Sequence, residues 1–186
     1  MNQKKKLYGK ILLPTALAAA LLSLTACGSG DSNNASTIAS ITNESSAVST
    51  VNGEVPYTFF DDAVFVGDSV SLKLNLYVSA QRKNDNAFMG TAQFLTPGSY
   101  GTGNELKELG SDNSVHPGYN GTEMYLADAI EAMGAKKVFI MLGMNDIAVY
   151  GNDGAVKNME TVLAQIKEKN PDTTIYVQSM TPIVGT

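Results

Sequence analysis

The sequence predicts a single α/β domain built on a parallel sheet. From Tyr57 onward, short apolar runs alternate with stretches whose apolar residues recur at helical spacing. Strands that alternate with amphipathic helices form βαβ units and a parallel sheet. Two of the apolar runs end in small and polar residues, Gly67-Asp68-Ser69 and Gly143-Met144-Asn145. Because ligands bind at the carboxyl ends of the strands in such sheets, we expect this serine and asparagine to share one site.

The first half of the domain contains two predicted strands and one predicted helix. Ala63 to Val66 is apolar and β-branched between polar residues and a glycine, which is typical of a buried strand. Val70 to about Ala80 fits a helix with Leu72, Leu76 and Ser79 near one face. Ala87 to Phe94 is a candidate second strand, and the glycine-rich segment Pro97 to Gly103 follows it as a loop.

The second half contains two further helices and two further strands. Thr122-Glu123 opens a helical pattern for which Gly134 supplies a C-terminal stop, and Lys137 to Leu142 is the next strand. Asp153 can cap the following helix, which Asn170-Pro171 ends. The buried stripe predicted for that helix consists of Val156, Met159, Val162, Leu163 and Ile166, and Thr173 to Ser179 is the fourth strand.

The N-terminus indicates export. Four lysines among the first ten residues precede an apolar stretch from Ile11 to Leu24, which is short for a membrane span and typical of a secretory signal. The only cysteine, Cys27, ends a Leu-Thr-Ala-Cys segment that resembles the lipobox of bacterial lipoproteins. This resemblance implies cleavage before Cys27 and lipid on its sulfur and amino group. The alternative is an ordinary secretory cleavage site beside an incidental cysteine.

Three parts of the chain follow from this interpretation: residues 1–26 are a lipoprotein signal peptide, residues 27–55 a flexible linker, and residues 56–186 the folded domain. The linker is rich in Ser, Asn, Thr and Gly and has too little apolar surface to fold. Loss of the signal removes four lysines and no acid, so the net charge changes from −5 to −9. This charge argues against nucleic acid as a partner, and the acyl anchor would hold the protein at the membrane.

The chemistry of the site begins with Ser69. A serine at a strand-to-helix turn has an accessible hydroxyl, and its own N–H at the helix N-terminus faces developing negative charge. Gly67 permits the tight turn, and Asp68 can accept hydrogen bonds from backbone N–H groups of the loop. The alternative interpretation of Gly-Asp-Ser is a turn with a helix cap.

Asn145 is the second candidate. A side-chain amide at the end of a neighbouring strand donates a hydrogen bond without a charge to desolvate, which suits an oxyanion hole. The alternative for Asn145 and Asp146 is a helix cap or a turn.

The two motifs together resemble a known family. Phe-Val-Gly-Asp-Ser ending at Ser69, followed by Gly-Met-Asn-Asp from Gly143 to Asp146, is similar to the motifs of the SGNH hydrolases, or GDSL-type esterases, and the similarity runs from about Phe59 onward. The resemblance implies a flavodoxin-like three-layer α/β/α domain that hydrolyses acyl or acetyl esters of lipids and carbohydrates. It assigns Ser69 as nucleophile and Asn145 as an oxyanion donor. The family's second donor is a loop glycine, for which Gly98 is the candidate and Gly101 and Gly90 are weaker ones.

One departure from the family concerns the catalytic base. The family places it in an Asp-x-x-His motif after a fifth strand, and the 186-residue sequence contains no such motif. We therefore expect a domain incomplete at its C-terminus, without the last strand and helix. Only His116 is available as a replacement base, and a histidine in a Gly/Pro-bounded loop is more commonly a surface, packing or substrate-loop residue.

No cofactor or metal is expected, because one histidine and one cysteine cannot form a zinc site and no phosphate-binding glycine loop is present. Two hypotheses remain. The first is an exported, lipid-anchored serine ester hydrolase. The second is a non-catalytic surface lipoprotein, or an inactive fragment, that binds an acylated or glycan ligand.

Overall fold

The computed structural model describes residues 54–180 and has α/β architecture, with a four-stranded parallel sheet flanked by helices. The predicted fold class is confirmed. The predicted signal peptide, Cys27 and nearly all of the predicted linker lie outside the described residues, as do residues 181–186. Within residues 54–180, no helix has the length and hydropathy needed to cross a bilayer.

A short 3-10 helix at Tyr57–Phe60 precedes the sheet. The elements that follow it in chain order are β1 (Ala63–Gly67), α1 (Ser69–Gln81), β2 (Gln93–Leu95), α2 (Thr102–Glu105), β3 (Gly118–Tyr119), β4 (Thr122–Glu123), α3 (Leu126–Met133), β5 (Lys137–Met141), α4 (Met144–Lys169) and β6 (Thr174–Val177).

The strand order of the main sheet is β2-β1-β5-β6, and all of its pairs are parallel. The chain adds β2 on one side of β1, and then crosses back to add β5 and β6 on the other side. The direction of the crossovers therefore reverses between β1 and β5. Open α/β sheets bind ligands at such a reversal, outside the carboxyl ends of the two strands. Ser69 follows β1 directly, and Asn145 lies in the first turn after β5.

The two faces of the sheet are packed differently. On one face, valine and isoleucine side chains of β1 and β5 form the main core with residues of α3 and α4, such as Leu126 and Ile166. The other face has one aromatic ring from each strand, in the order Phe94, Phe65, Phe139 and Tyr176. Neighbouring rings in this row stack with centroids 4.6 to 5.3 Å apart. Together the two faces fix the register of β1 and β5, which positions the site.

Helix α1 is where predicted, but its buried face is not. Leu76 is 62% exposed and Ser79 is also exposed, whereas Ser71 and Val78 are buried. The reason is a close approach at Gly67, where an added Cβ would overlap the Ser71 side chain. The absence of a side chain at Gly67 therefore lets Ser71 of the helix pack against the end of β1.

The predicted second strand was placed too early. Residues 87–91 form turns in which Met89 and Gly90 have positive φ, and β2 begins only at Gln93. The Arg82 side chain stabilises these turns by donating hydrogen bonds to the carbonyls of Phe88, Gly90 and Ala92.

The predicted helix start at Thr122-Glu123 is wrong. These two residues form β4, which pairs with β3 through a turn in which Asn120 and Gly121 have positive φ. Helix α3 begins at Leu126, and Gly134 ends it in the left-handed conformation, as predicted.

The helix predicted from Asp153 is the second part of α4, which has a non-helical residue at Gly151. Val162 and Ile166 are buried as predicted, but Val156 is 59% exposed because it lies outside the face that contacts the sheet. The helix ends at Lys169 with Asn170 as its C-cap, in agreement with the Asn170-Pro171 signal.

Candidate functional site

The turn after β1 leaves Ser69 exposed at the first position of α1. Asp68 is the residue that caps this helix: it is buried, and its Oδ1 accepts a hydrogen bond of 2.8 Å from the Val70 N–H. Ser69 is therefore not the cap, and the hydrogen bonds within residues 54–180 include none to its hydroxyl. The N–H groups of the first helical turn and the helix dipole make this end of α1 electropositive.

Asn145 points from the end of β5 toward the turn after β1. Its Nδ2 donates a hydrogen bond of 2.8 Å to the Tyr100 carbonyl and lies 3.4 Å from Asp68 Oδ2. Gly143, not Asn145, is the residue that precedes the helix, so the side chain of Asn145 does not serve as a cap. The structure thus brings both sequence motifs together, with an amide donor next to the residue that precedes Ser69.

Asp146, in the first turn of α4, connects the loop after β2 to the start of that helix. Its carboxylate is buried and accepts hydrogen bonds from the Thr102 N–H at 2.9 Å and the Gly103 N–H at 2.7 Å. Gly143 supports this arrangement, because its φ of 123° suits glycine, and its carbonyl accepts the Asp146 N–H. Asn145 and Asp146 together hold residues 100–103 against the site.

The three candidate glycines differ in position. Gly98 is exposed in the turn after β2, and a Cβ added there would meet nothing within 4 Å. Gly101 is buried, and an added Cβ would lie 3.0 Å from the Asp146 carboxylate oxygens. Gly90 is excluded, because it lies beside Tyr57 and Asp61 before the start of β1, at the opposite edge of the sheet.

His116 is buried away from solvent, and the polar contact of its ring is with Glu105. Its side chain is fully buried, its Nδ1 lies 3.3 Å from Glu105 Oε2, and its Nε2 has no hydrogen-bond partner among the described residues. The ring also packs edge-on against Tyr125. Of the roles considered for His116, which were replacement base, surface, packing or substrate-loop residue, these contacts correspond to packing, and no hydrogen bond joins the ring to Ser69.

Glu105 is the centre of a buried polar cluster that no pattern in the sequence predicts. Its Oε1 accepts the Leu126 N–H at 2.6 Å, and its Oε2 accepts the Tyr100 hydroxyl at 2.8 Å. Burial raises the pKa of Glu105 above its ordinary value of 4.5, against the opposing effect of its hydrogen bonds. Burial and the neighbouring Glu105 carboxylate also raise the pKa of Tyr100, which therefore stays a donor.

The raised pKa of Glu105 predicts a pH effect on stability. The folded protein binds the Glu105 proton more tightly than the unfolded chain does, so the proton contributes to the free energy of unfolding. This contribution is complete below pH 4.5 and is lost as the pH rises through the raised pKa. We expect the free energy of unfolding of the wild type, relative to Glu105→Gln, to fall as the pH rises over a range that starts at pH 4.5 and extends upward. Urea unfolding of both proteins across that range measures the difference, and a difference that rises with pH would contradict it.

Two cavities lie on the described part of the chain. A small one of about 10 Å³, the size of a single water molecule, borders the residues on either side of Ser69 and is lined by Asp68, Val70, Met141, Leu142, Met144 and Met180. A larger one of about 410 Å³ lies between α3 and α4 and is not lined by Ser69 or Asn145. Within residues 54–180, no group of three His, Cys, Asp or Glu side chains is arranged to hold a metal ion.

Comparison with family models, with curated proteins and with solved structures found no match for this chain.

Proposed function

We propose that this protein is an exported, lipid-anchored serine ester hydrolase of the SGNH type. The observation that carries the proposal is the position of the Asn145 amide, 3.4 Å from the carboxylate of Asp68, with Ser69 exposed next along the chain. A nucleophile and an amide donor that converge at the crossover reversal of an α/β sheet are suited to acyl transfer. The substrate class is an acyl or acetyl ester of a carbohydrate or lipid.

In the proposed reaction, Ser69 Oγ attacks the ester carbonyl and its proton passes to a base. The carbonyl oxygen becomes an oxyanion, which the Asn145 amide and backbone N–H groups stabilise, those of Ser69 and Gly98 being the candidates. The tetrahedral intermediate then expels the alcohol, which takes up a proton, and leaves an acyl group on Ser69. Attack by water with loss of a proton releases the acid and restores the hydroxyl.

None of the described residues is placed to act as the base that accepts the Ser69 proton. His116 is fully buried against Glu105, and no described side chain makes a hydrogen bond to Ser69 Oγ. Because none of residues 54–180 is placed as the base, we expect a base from the solvent to accept the Ser69 proton. Acylation is then slow in plain buffer and faster when free imidazole supplies the base.

A fluorophosphonate probe tests the proposal, because the serine oxygen displaces fluoride from phosphorus in a step that needs the same base and donors. We expect the purified full chain to form the Ser69 adduct, at a rate that increases with imidazole concentration. Asn145→Ala removes the amide donor and should slow the reaction by about a hundredfold. Asn152→Ala, an exposed asparagine on the same helix, is the control and should react like the wild type.

The absence of a Ser69 adduct in folded protein, with and without imidazole, would contradict the hydrolase proposal. An adduct whose rate is unchanged in Asn145→Ala would contradict the role of the amide.

The proposed location depends on Cys27, which is the residue that would carry the lipid. Replacing Cys27 with alanine removes the acylation site, so we expect a labelled fatty acid to enter the wild type and not Cys27→Ala when both are expressed in a bacterium that processes lipoproteins. The measurement is metabolic labelling with palmitate followed by immunoprecipitation. Equal labelling of both forms, or no labelling of the wild type, would contradict a lipid anchor at Cys27.

The second candidate is a non-catalytic surface lipoprotein that uses the same site to bind an acylated or glycan ligand. The observation that favours it is that no described base contacts Ser69. Binding of an acylated or glycan ligand to Ser69→Ala, together with no fluorophosphonate adduct on the wild type, would support this candidate over the hydrolase.

A further inference from the structure

Glu105 connects the candidate site to the buried core without touching Ser69. The residue is 3% exposed, and its two carboxylate oxygens accept hydrogen bonds from different elements. Oε1 accepts the first N–H of α3, from Leu126, and Oε2 accepts the Tyr100 hydroxyl. A buried carboxylate with such partners is costly to disturb, because each partner would lose its acceptor away from water.

Tyr100 extends this connection to the site. Its side chain is completely buried, so the ring is held both by packing and by the 2.8 Å hydrogen bond to Glu105. Its backbone carbonyl accepts the other 2.8 Å hydrogen bond, from Asn145 Nδ2. One residue thus joins the carboxylate of Glu105 to the amide of Asn145.

The amide of Asn145 has two N–H groups, and the two contacts of Nδ2 are unequal. The contact with the Tyr100 carbonyl has the length of a strong hydrogen bond, whereas the 3.4 Å contact with Asp68 is longer than a normal one. A fixed carbonyl at one N–H sets the plane of the amide. The second N–H lies toward Asp68, the residue before Ser69, and its long contact there leaves it free to be donated to a substrate oxygen.

We propose that Glu105 is a positioning residue that orients the Asn145 amide through Tyr100. Its effect on acylation rests on the function proposed above, but the orientation of the amide does not require Ser69 to react. Glu105 therefore acts on a donor for the oxyanion, since preorganised donors lose much of their effect when they are displaced or mobile.

The first test uses nuclear magnetic resonance of the Asn145 side-chain amide in ¹⁵N-labelled full chain, with the signal assigned by its loss in Asn145→Ala. Two variants disturb the proposed connection: Glu105→Gln replaces the carboxylate, and Tyr100→Phe removes the hydroxyl but keeps the ring. We expect both to shift the Asn145 amide signals. Glu108→Gln, an exposed glutamate one turn away, is the matched control and should leave them unchanged.

The second test measures the rate of Ser69 modification by the fluorophosphonate in the presence of imidazole. Each of the two variants should lower that rate by about tenfold or more. Because both act through the same hydrogen bond, the double variant should be no slower than the slower single variant. Glu108→Gln should again match the wild type.

An unchanged Asn145 signal in folded Glu105→Gln and Tyr100→Phe would overturn the proposal, as would rate losses that multiply in the double variant. If Glu105→Gln does not fold, Tyr100→Phe decides the question. If Ser69 is unreactive in the wild type, the proposed function fails, but the amide signals still test the role of Glu105.

Discussion

Replacing Ser69 with alanine abolishes adduct formation with a fluorophosphonate and with activated esters, at every imidazole concentration. The reason is that the hydroxyl oxygen forms the covalent bond, and no neighbouring group in the described site can substitute for it. We expect the loss to be complete, since the nucleophile itself is removed and not a group that assists it. The measurement is intact-mass spectrometry of wild type and Ser69→Ala after exposure to the probe.

Ser79→Ala is the matched control for this result. Ser79 is an exposed serine on the same helix, ten residues from Ser69, and should be neither modified nor required. An adduct of equal yield in Ser69→Ala would show that another residue reacts, and would contradict the assignment of the nucleophile.

Asp146→Ala lowers the free energy of unfolding by about 3 kcal/mol or more, because a buried carboxylate that accepts two backbone hydrogen bonds is lost. The Thr102 and Gly103 N–H groups would then have no acceptor at the start of α2. The loop after β2 would also lose one of its attachments to the first turn of α4. Urea unfolding at neutral pH measures the change.

Glu160→Ala is the control for the Asp146 prediction, because Glu160 is exposed in the middle of the same helix and its replacement should change stability by less than about 0.5 kcal/mol. Equal stability of Asp146→Ala and the wild type would show that the two buried hydrogen bonds contribute little. The hydrogen-exchange rate of the Gly103 amide reports on one of these hydrogen bonds alone, and this rate should be higher in Asp146→Ala than in the wild type.

The sequence was sufficient to predict the strands that carry the site. Ala63 to Val66 and Lys137 to Leu142 are apolar runs between strong breakers, and buried parallel strands have that pattern. The buried face of α1 could not be predicted in the same way. Its contacts depend on Ser71 against Gly67 and on Arg82 donating to loop carbonyls, so polar residues occupy a face where apolar ones are expected.

The proximity of Ser69 and Asn145 could be predicted because parallel strands bring their carboxyl ends to one edge of the sheet. The cluster around Glu105 could not. Its partners Tyr100, His116 and Leu126 lie 5, 11 and 21 residues away along the chain, with no periodic pattern connecting them. A glutamate in a polar loop is most often exposed, so only the three-dimensional contacts show that this one is buried.

Peptide mapping after incubation of the full chain with p-nitrophenyl acetate and imidazole distinguishes a nucleophilic Ser69 from an inert one. If Ser69 is an acyl-accepting nucleophile, mass spectrometry will find one acetyl group on the peptide that contains Ser69. Removal of imidazole before digestion should make this acetyl group persist, because no described base is placed to activate water for its hydrolysis. A folded protein with no acetyl group on Ser69 would contradict the account.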